Sequence, residues 1–189
     1  MITLWPTEIY SFKNEIIDND KIKELILEKE KNEPSRSISN IGGWQSVNSI
    51  LEENGFSEIK DSLLELFSSI KNEIYIDGIK FLLAADWANV NRLGHYNTSH
   101  VHGNSHWSCA YYVTETYGAP LFFCDPSVRK SMDTSYGFLK NKYFNKIGSG
   151  KMPGEVVFFP SWLEHGVAKN STDNPRISIS CNFLLGEKR

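Results

Sequence analysis

One stretch near the C-terminal end constrains the fold more than any other. Residues 176–184 read RISISCNFL, with Arg176, Ser178, Ser180 and Asn182 alternating with Ile177, Ile179, Cys181 and Phe183. A period of two places successive side chains on opposite faces, so this is a β-strand with one apolar and one polar face, headed by an arginine. The apolar face needs a layer to pack on. A partner lies upstream: after Ser57, residues Ile59, Leu63, Leu66, Phe67, Ile70 and Ile74 form one stripe of a helix. The polar face has two possible destinations, open solvent or a polar cavity between sheets.

From about Ile79 onward the pattern is of short strands separated by Gly, Pro, Asn and Asp. These are Lys80–Ala84, Ala88–Tyr96, His100–His102, Ser108–Thr114, Pro120–Cys124, Glu155–Phe159 and Arg176–Leu184. The first third reads helical. Asn19 or Asp20 is a candidate cap for a helix carrying Ile22, Leu25 and Ile26, and a short helix is expected from Gln45 to Asn54, ended by Gly55. The expected architecture is α+β and mostly β. It is a two-sheet jelly roll (a double-stranded β-helix, cupin-like) with the N-terminal helices on the outside of one sheet. A length of 189 residues fits one domain, with residues 1–78 as a helical layer and 79–189 as the jelly-roll core.

Composition excludes more than it names. Apolar residues are 40% of the chain and charged residues 23%, and no apolar run approaches the ~18 residues of a membrane span. MITLWPTEIYSF has neither the basic nor the apolar region of a secretory signal, so the expectation is a cytoplasmic protein without a membrane partner. A net charge of −3 argues against general nucleic-acid binding. The odd count of cysteines, Cys109, Cys124 and Cys181, reads as reduced thiols. Two segments, Glu33–Trp44 and Pro126–Gly154, lack periodicity. Six basic residues (Arg129, Lys130, Lys140, Lys142, Lys146, Lys151) stand against Asp133 between Pro126 and Lys151, either as a solvated loop or as a lid for an acidic substrate.

The chemistry gathers around His100-Val101-His102. In extended chain, residues two apart face the same side, so both imidazoles can reach one metal ion. His165 follows the apolar run GEVVFFPSW, 63 residues after His102, and Arg176 comes 11 residues later. An arginine at the inner end of a polar strand face can grip a carboxylate with both arms of its fork, with the Ser178 hydroxyl beside it. Tyr112, on a face shared with Ser108, Ala110 and Thr114, is placed to add a phenol to the same carboxylate.

This order of residues resembles that of the Fe(II)- and 2-oxoglutarate-dependent oxygenases, and most closely the prolyl-4-hydroxylase-like branch, in which the first ligand pair runs into a segment like CAYYVT. The segments GGWQS, HVH, YYV, FFPSWLEHGV and RISISCNF are similar also to a group of such oxygenases from phages and marine bacteria. The resemblance spans about residues 40–185. It implies that His100, His102 and His165 bind iron, and that Arg176 binds the distal carboxylate of 2-oxoglutarate with help from Ser178 and Tyr112. It also implies that Tyr96 lines the co-substrate pocket. The implied activity is that of an oxidoreductase, a hydroxylase using molecular oxygen. Its substrate is first a protein side chain, in a groove with Trp44 and Trp107, and otherwise a small molecule.

The chain departs from the family at one position. The usual triad has Asp or Glu where this chain has His102. Because His102 fills the position that halogenating relatives leave to chloride, halogenation is disfavoured. Asp125, in FFCDP, is the alternative carboxylate ligand, set against a turn-forming role before Pro126. His95 and His106 read as structural or supporting residues. Two other functions share the histidines: a three-histidine zinc lyase or hydrolase, and a jelly-roll binding module without catalysis.

Overall fold

The computed structural model describes residues 6–14, 17–127 and 146–187, without the side chains of residues 146–149. Its elements in order are β1 (Tyr10–Lys13), α1 (Asn19–Asn32), β2 (Asn40–Ile41), β3 (Trp44–Gln45), α2 (Ser57–Ile74), β4 (Ile79–Asn91), β5 (Tyr96–His100), β6 (Trp107–Tyr112), β7 (Leu121–Cys124), β8 (Lys146–Ser149), β9 (Glu155–Pro160), β10 (His165–Val167) and β11 (Arg176–Glu187). The strands form two sheets with antiparallel pairing throughout. One has the order β1-β9-β6-β11-β4-β3 and the other β2-β5-β10-β7-β8. No helix among the described residues is long and apolar enough to cross a membrane.

The alternation of β11 decides how the layers stack. Ile177, Ile179, Cys181 and Phe183 are all fully buried in one cluster with Ile22, Ile26, Ile59, Leu63, Phe67 and Ile70 of the two helices. The helices therefore cover the outer face of the six-stranded sheet. Alternate residues of its neighbours, Ala110 and Tyr112 of β6 and Val157 and Phe159 of β9, pack against Leu121 and Val167 of the five-stranded sheet. Phe67 is the centre of the helix-side core: its ring stacks on Phe183 at 4.2 Å and lies 5.0 Å from Phe81 and 5.9 Å from Phe158.

Several expectations need correction. No helix forms over Gln45–Asn54, because tertiary partners claim its backbone. Ser46 exchanges hydrogen bonds with Ala88 through its N–H and its hydroxyl, and the Asp86 carboxylate accepts from the Ile50 and Leu51 N–H groups at 2.7 and 2.9 Å. Gly55 still takes the left-handed conformation, with φ 94°. The cap of α1 is Asp18, which accepts from Lys21 N–H, one residue before the expected position. The N-terminal third adds three strands to its helices, two of them only two residues long and too short to carry a period-two signal. Lys80–Ala84 and Ala88–Asn91 belong to one long strand, β4, which pairs with β11 across a bulge at Asn182/Phe183. Trp44 and Trp107 are buried in the helix-side core, 6% and 4% exposed, and line no groove. The three cysteines are free, with Cys109 directly opposite Cys181.

Position 166 has room only for glycine. A Cβ there would lie 2.7 Å from the Phe122 ring and 2.9 Å from the Asn97 carbonyl, so the central strand β10 could not sit between β5 and β7. Replacing Phe67 with alanine should lower unfolding free energy by about 3–5 kcal/mol, read as a fall in the urea midpoint at unchanged slope.

Candidate active site

The two sheets face each other across a cavity of about 460 Å³. His165 pairs directly with His100 across β10 and β5, and His102 lies two residues beyond the end of β5, where its N–H bonds to the Ser161 carbonyl. The ring centroids are 4.5 Å apart for His100 and His165, 4.9 Å for His102 and His165, and 5.1 Å for His100 and His102. One nitrogen from each ring lies within 4.8 Å of the other two, a spacing that can hold one metal ion.

Hydrogen bonds set which nitrogen faces inward. His100 Nδ1–H donates to the Thr98 carbonyl at 2.7 Å, and His165 Nδ1–H donates to the Leu163 carbonyl at 2.8 Å. Carbonyls only accept, so both Nδ1 atoms carry the proton and both Nε2 atoms present a lone pair. His102 Nδ1–H donates to Asn182 Oδ1 at 2.7 Å, with Ser108 Oγ at 2.8 Å, so its Nε2 is also an acceptor. Ser108 donates to the same Asn182 oxygen and contacts Ser161 Oγ at 2.7 Å. The result is three acceptors converging with no donor among them. Such a set repels itself until a cation fills it.

Burial reinforces the neutral state. It pushes the His165 pKa down to about 3, against which the Leu163 carbonyl works in the opposite direction, and the neighbouring rings lower it further. His102 is lowered by the same desolvation, partly offset by Asn182.

On the facing sheet, Arg176 is 3% exposed and Ser178 1%. The guanidinium donates from Nη1 to Ser178 Oγ at 2.8 Å, and its carbon lies 5.5 Å from the centre of the Tyr112 ring. Arg176 Nε and the Tyr112 hydroxyl have no well-aligned hydrogen-bond partner among the described residues, although the two side chains attract each other, and no carboxylate there pairs with the arginine. Burial lowers the Arg176 pKa and raises that of Tyr112 to about 12. Arginine nevertheless stays charged at neutral pH. A buried cation without a counter-charge is strongly unfavourable alone, and its free Nε marks where an anion belongs.

The remaining expected residues fall as follows. Ser178, Ser180 and Asn182 line the cavity, so the polar face of β11 is internal. Tyr112 sits beside Arg176 but outside the lining. Tyr96 is also outside it; the neighbouring Asn97 takes the inward place, bonded to Asn91 and Ser39. Asp125 does not join the imidazoles. Its carboxylate accepts from Ser127 N–H at 2.8 Å, the turn-forming role before Pro126. His95 and His106 use Nδ1 to accept from the N–H groups of Arg92 and Leu185. Of the basic segment, Arg129, Lys130, Lys140 and Lys142 lie outside the described residues, while Lys151 pairs with Glu155 at 3.3 Å. Sequence reasoning missed the supporting role of Asn182 and Ser108, although their inward parity was the available signal. It also missed Arg36, Asn89 and Asn97 in the lining.

Two antiparallel sheets thus enclose three imidazoles that can hold a metal ion and a buried arginine, and the sequence assigns the chain to a family. The profile of the 2OG-Fe(II) oxygenase family matches residues 85–182, which include all four of these residues. The chain belongs to this family of dioxygenases, whose members depend on Fe(II) and 2-oxoglutarate. No curated protein matches the sequence. Among solved structures, a Pseudomonas putida prolyl-4-hydroxylase is similar with 15% identity and a TM-score of 0.61, over 97% of this chain and 94% of that one. HygX from Streptomyces hygroscopicus, with nickel and 2-oxoglutarate bound, has 8% identity and a TM-score of 0.63 over 94% and 82%. The carbocyclase SnoK from nogalamycin biosynthesis has 10% identity and a TM-score of 0.64 over 94% and 79%.

The depressed imidazole pKa values link stability to pH. Below about pH 6.5 the unfolded chain takes protons that folded His165 refuses until about pH 3, so metal-free protein should lose stability on acidification. For His165 the slope should approach about 1.4 kcal/mol per pH unit as the pH falls below about 6. His165→Gln should flatten this slope in urea titrations at a series of pH values.

Proposed function

We propose that the protein is a hydroxylating oxygenase in which His100, His102 and His165 hold Fe(II) and Arg176 with Ser178 holds the distal carboxylate of 2-oxoglutarate. The two facing sheets are read as a double-stranded β-helix, in a single domain with the helices as its outer layer. The observation that carries the proposal is the pairing of two unmet demands in one cavity: three converging lone pairs that call for a cation, and a buried guanidinium that calls for an anion. A keto-diacid chelated to a metal meets both at once. A zinc hydrolase on the same histidines leaves Arg176 with no task.

If bound, Fe(II) and 2-oxoglutarate would let molecular oxygen, the oxidant, convert a substrate C–H bond to C–OH, one oxygen atom entering the product and the other the succinate formed as 2-oxoglutarate loses carbon dioxide. The chain's own part is placement. Thr98 and Leu163 carbonyls and Asn182 keep the three Nε2 atoms pointed inward. Arg176 fixes the orientation of the diacid, and the Tyr112 hydroxyl beside it is a further donor. Leu121, Phe159 and Val167 keep water from one wall. Hydroxylation asks only for a positioned C–H bond. Among the described residues the lining offers no spare carboxylate for acid–base work, since Asp86 is taken by Ser49, Ile50 and Leu51.

Anaerobic addition of Fe(II) and then 2-oxoglutarate should give the visible charge-transfer absorption of a chelated keto acid; a colourless, zinc-retaining protein would overturn the reading. Arg176→Ala should raise the KM for 2-oxoglutarate roughly 30- to 1,000-fold, equivalent to about 2–4 kcal/mol, with metal content retained. In metal analysis, His102→Asp should keep iron and His102→Ala should lose it, while Asp125→Ala should match the unmodified protein.

A further inference from the structure

We infer that the substrate is a small carboxylic acid with an apolar body, its carboxylate held by Arg36 at the cavity mouth; this rests on the oxygenase reading above. Arg36 is exposed, lines the same cavity as the imidazoles, and has no ion-pair partner among the described residues. Its backbone is held in place. The N–H donates to the Gln45 carbonyl at 2.9 Å, and the carbonyl accepts from Asn40 Nδ2 at 3.0 Å. The guanidinium is thus presented by an anchored segment and not by a loose loop.

Charge balance supplies the argument for an anion. A divalent metal and a dianionic diacid cancel each other. Of the charged side chains lining the cavity among the described residues, Arg36 and Arg176 are positive and Asp86 is negative; Asp86 accepts from Ser49 Oγ, Ile50 N–H and Leu51 N–H and pairs with neither arginine. The three ligands are neutral imidazoles, so nothing absorbs the remaining positive charge of Arg36. A carboxylate at position 102 would have done so; His102 does not. At the open mouth this uncompensated charge draws a single negative charge toward the cavity. The guanidinium fork matches a carboxylate.

The rim describes the rest of the molecule. Ile38, Val47 and Val101 line the cavity and are 61%, 44% and 51% exposed, an aliphatic border next to Arg36. The cavity volume lies within the small-molecule range, and the two tryptophans expected beside a peptide are in the core.

The test uses protein loaded with Fe(II) and 2-oxoglutarate, and three probes: hexanoate, octanoate and 3-phenylpropanoate, each beside its amide. The acids should stimulate succinate release in air and perturb the anaerobic charge-transfer band, with the amides at least tenfold weaker. Arg36→Gln, checked for loading by the same band, should lose the preference for acid over amide, and Arg36→Lys should keep part of it. Equal responses to acid and amide, or a preference that survives in Arg36→Gln, would overturn the inference. If the band forms and no acid acts, the substrate class is wrong and the oxygenase reading stands. If the band never forms in the unmodified protein, both fall.

Discussion

The arrangement on which the rest depends is the enforced convergence of three imidazole lone pairs. Left to itself, an imidazole turns its unprotonated nitrogen toward any donor. Here two backbone carbonyls and one side-chain amide oxygen take the Nδ1 protons and hold the rings so that their Nε2 atoms face one another. That geometry is unfavourable in the metal-free chain and is sustained by the strands. His165 and His100 are opposed across a β10–β5 pair whose close approach needs Gly166, and His102 is tied to the turn at Ser161. Burial favours the neutral form of His102 and His165, so these two rings resist a proton.

Strand β11 joins stability to function. Its Ile177, Ile179, Cys181 and Phe183 side chains anchor the helices, and its Arg176, Ser178, Ser180 and Asn182 side chains form the cavity wall. A one-residue slip in register would send the arginine into the helix layer and an isoleucine into the site. Twelve residue pairs with β4, together with pairing to β6 on the other side, make such a slip costly. The apolar core is thus what permits a charged side chain to sit buried without a partner. The packing energy of one face sustains the electrostatic strain on the other.

The histidine at position 102 changes the charge of the centre while leaving its geometry serviceable. A carboxylate there would accept hydrogen bonds from its surroundings. A neutral imidazole must donate, and the surroundings have been built accordingly, with the Asn182 oxygen and the Ser108 hydroxyl at the donor nitrogen. The neighbouring side chains and the imidazole therefore suit each other.

Much of this was legible in the chain. The stripe Ile59-Leu63-Phe67-Ile70 and the alternation of residues 176–184 are local repeats, set by the 3.6- and two-residue periods of the backbone, and both were realised as read. The three histidines that gather in the cavity were legible as well, since their order and spacing lie on the surface of the sequence. Tertiary structure alone decided the rest. Gln45–Asn54 has helical composition, yet Asp86 and Ala88 drew its N–H and C=O groups into contacts made from more than thirty residues away. Tyr96 and Asn97 differ by one position, and the pairing of β5 chose which of them faces the cavity. Whether a polar strand face meets solvent or an enclosed site depends on the sheet laid across it, and that pairing comes from long-range contacts that leave no periodic mark in the residues themselves.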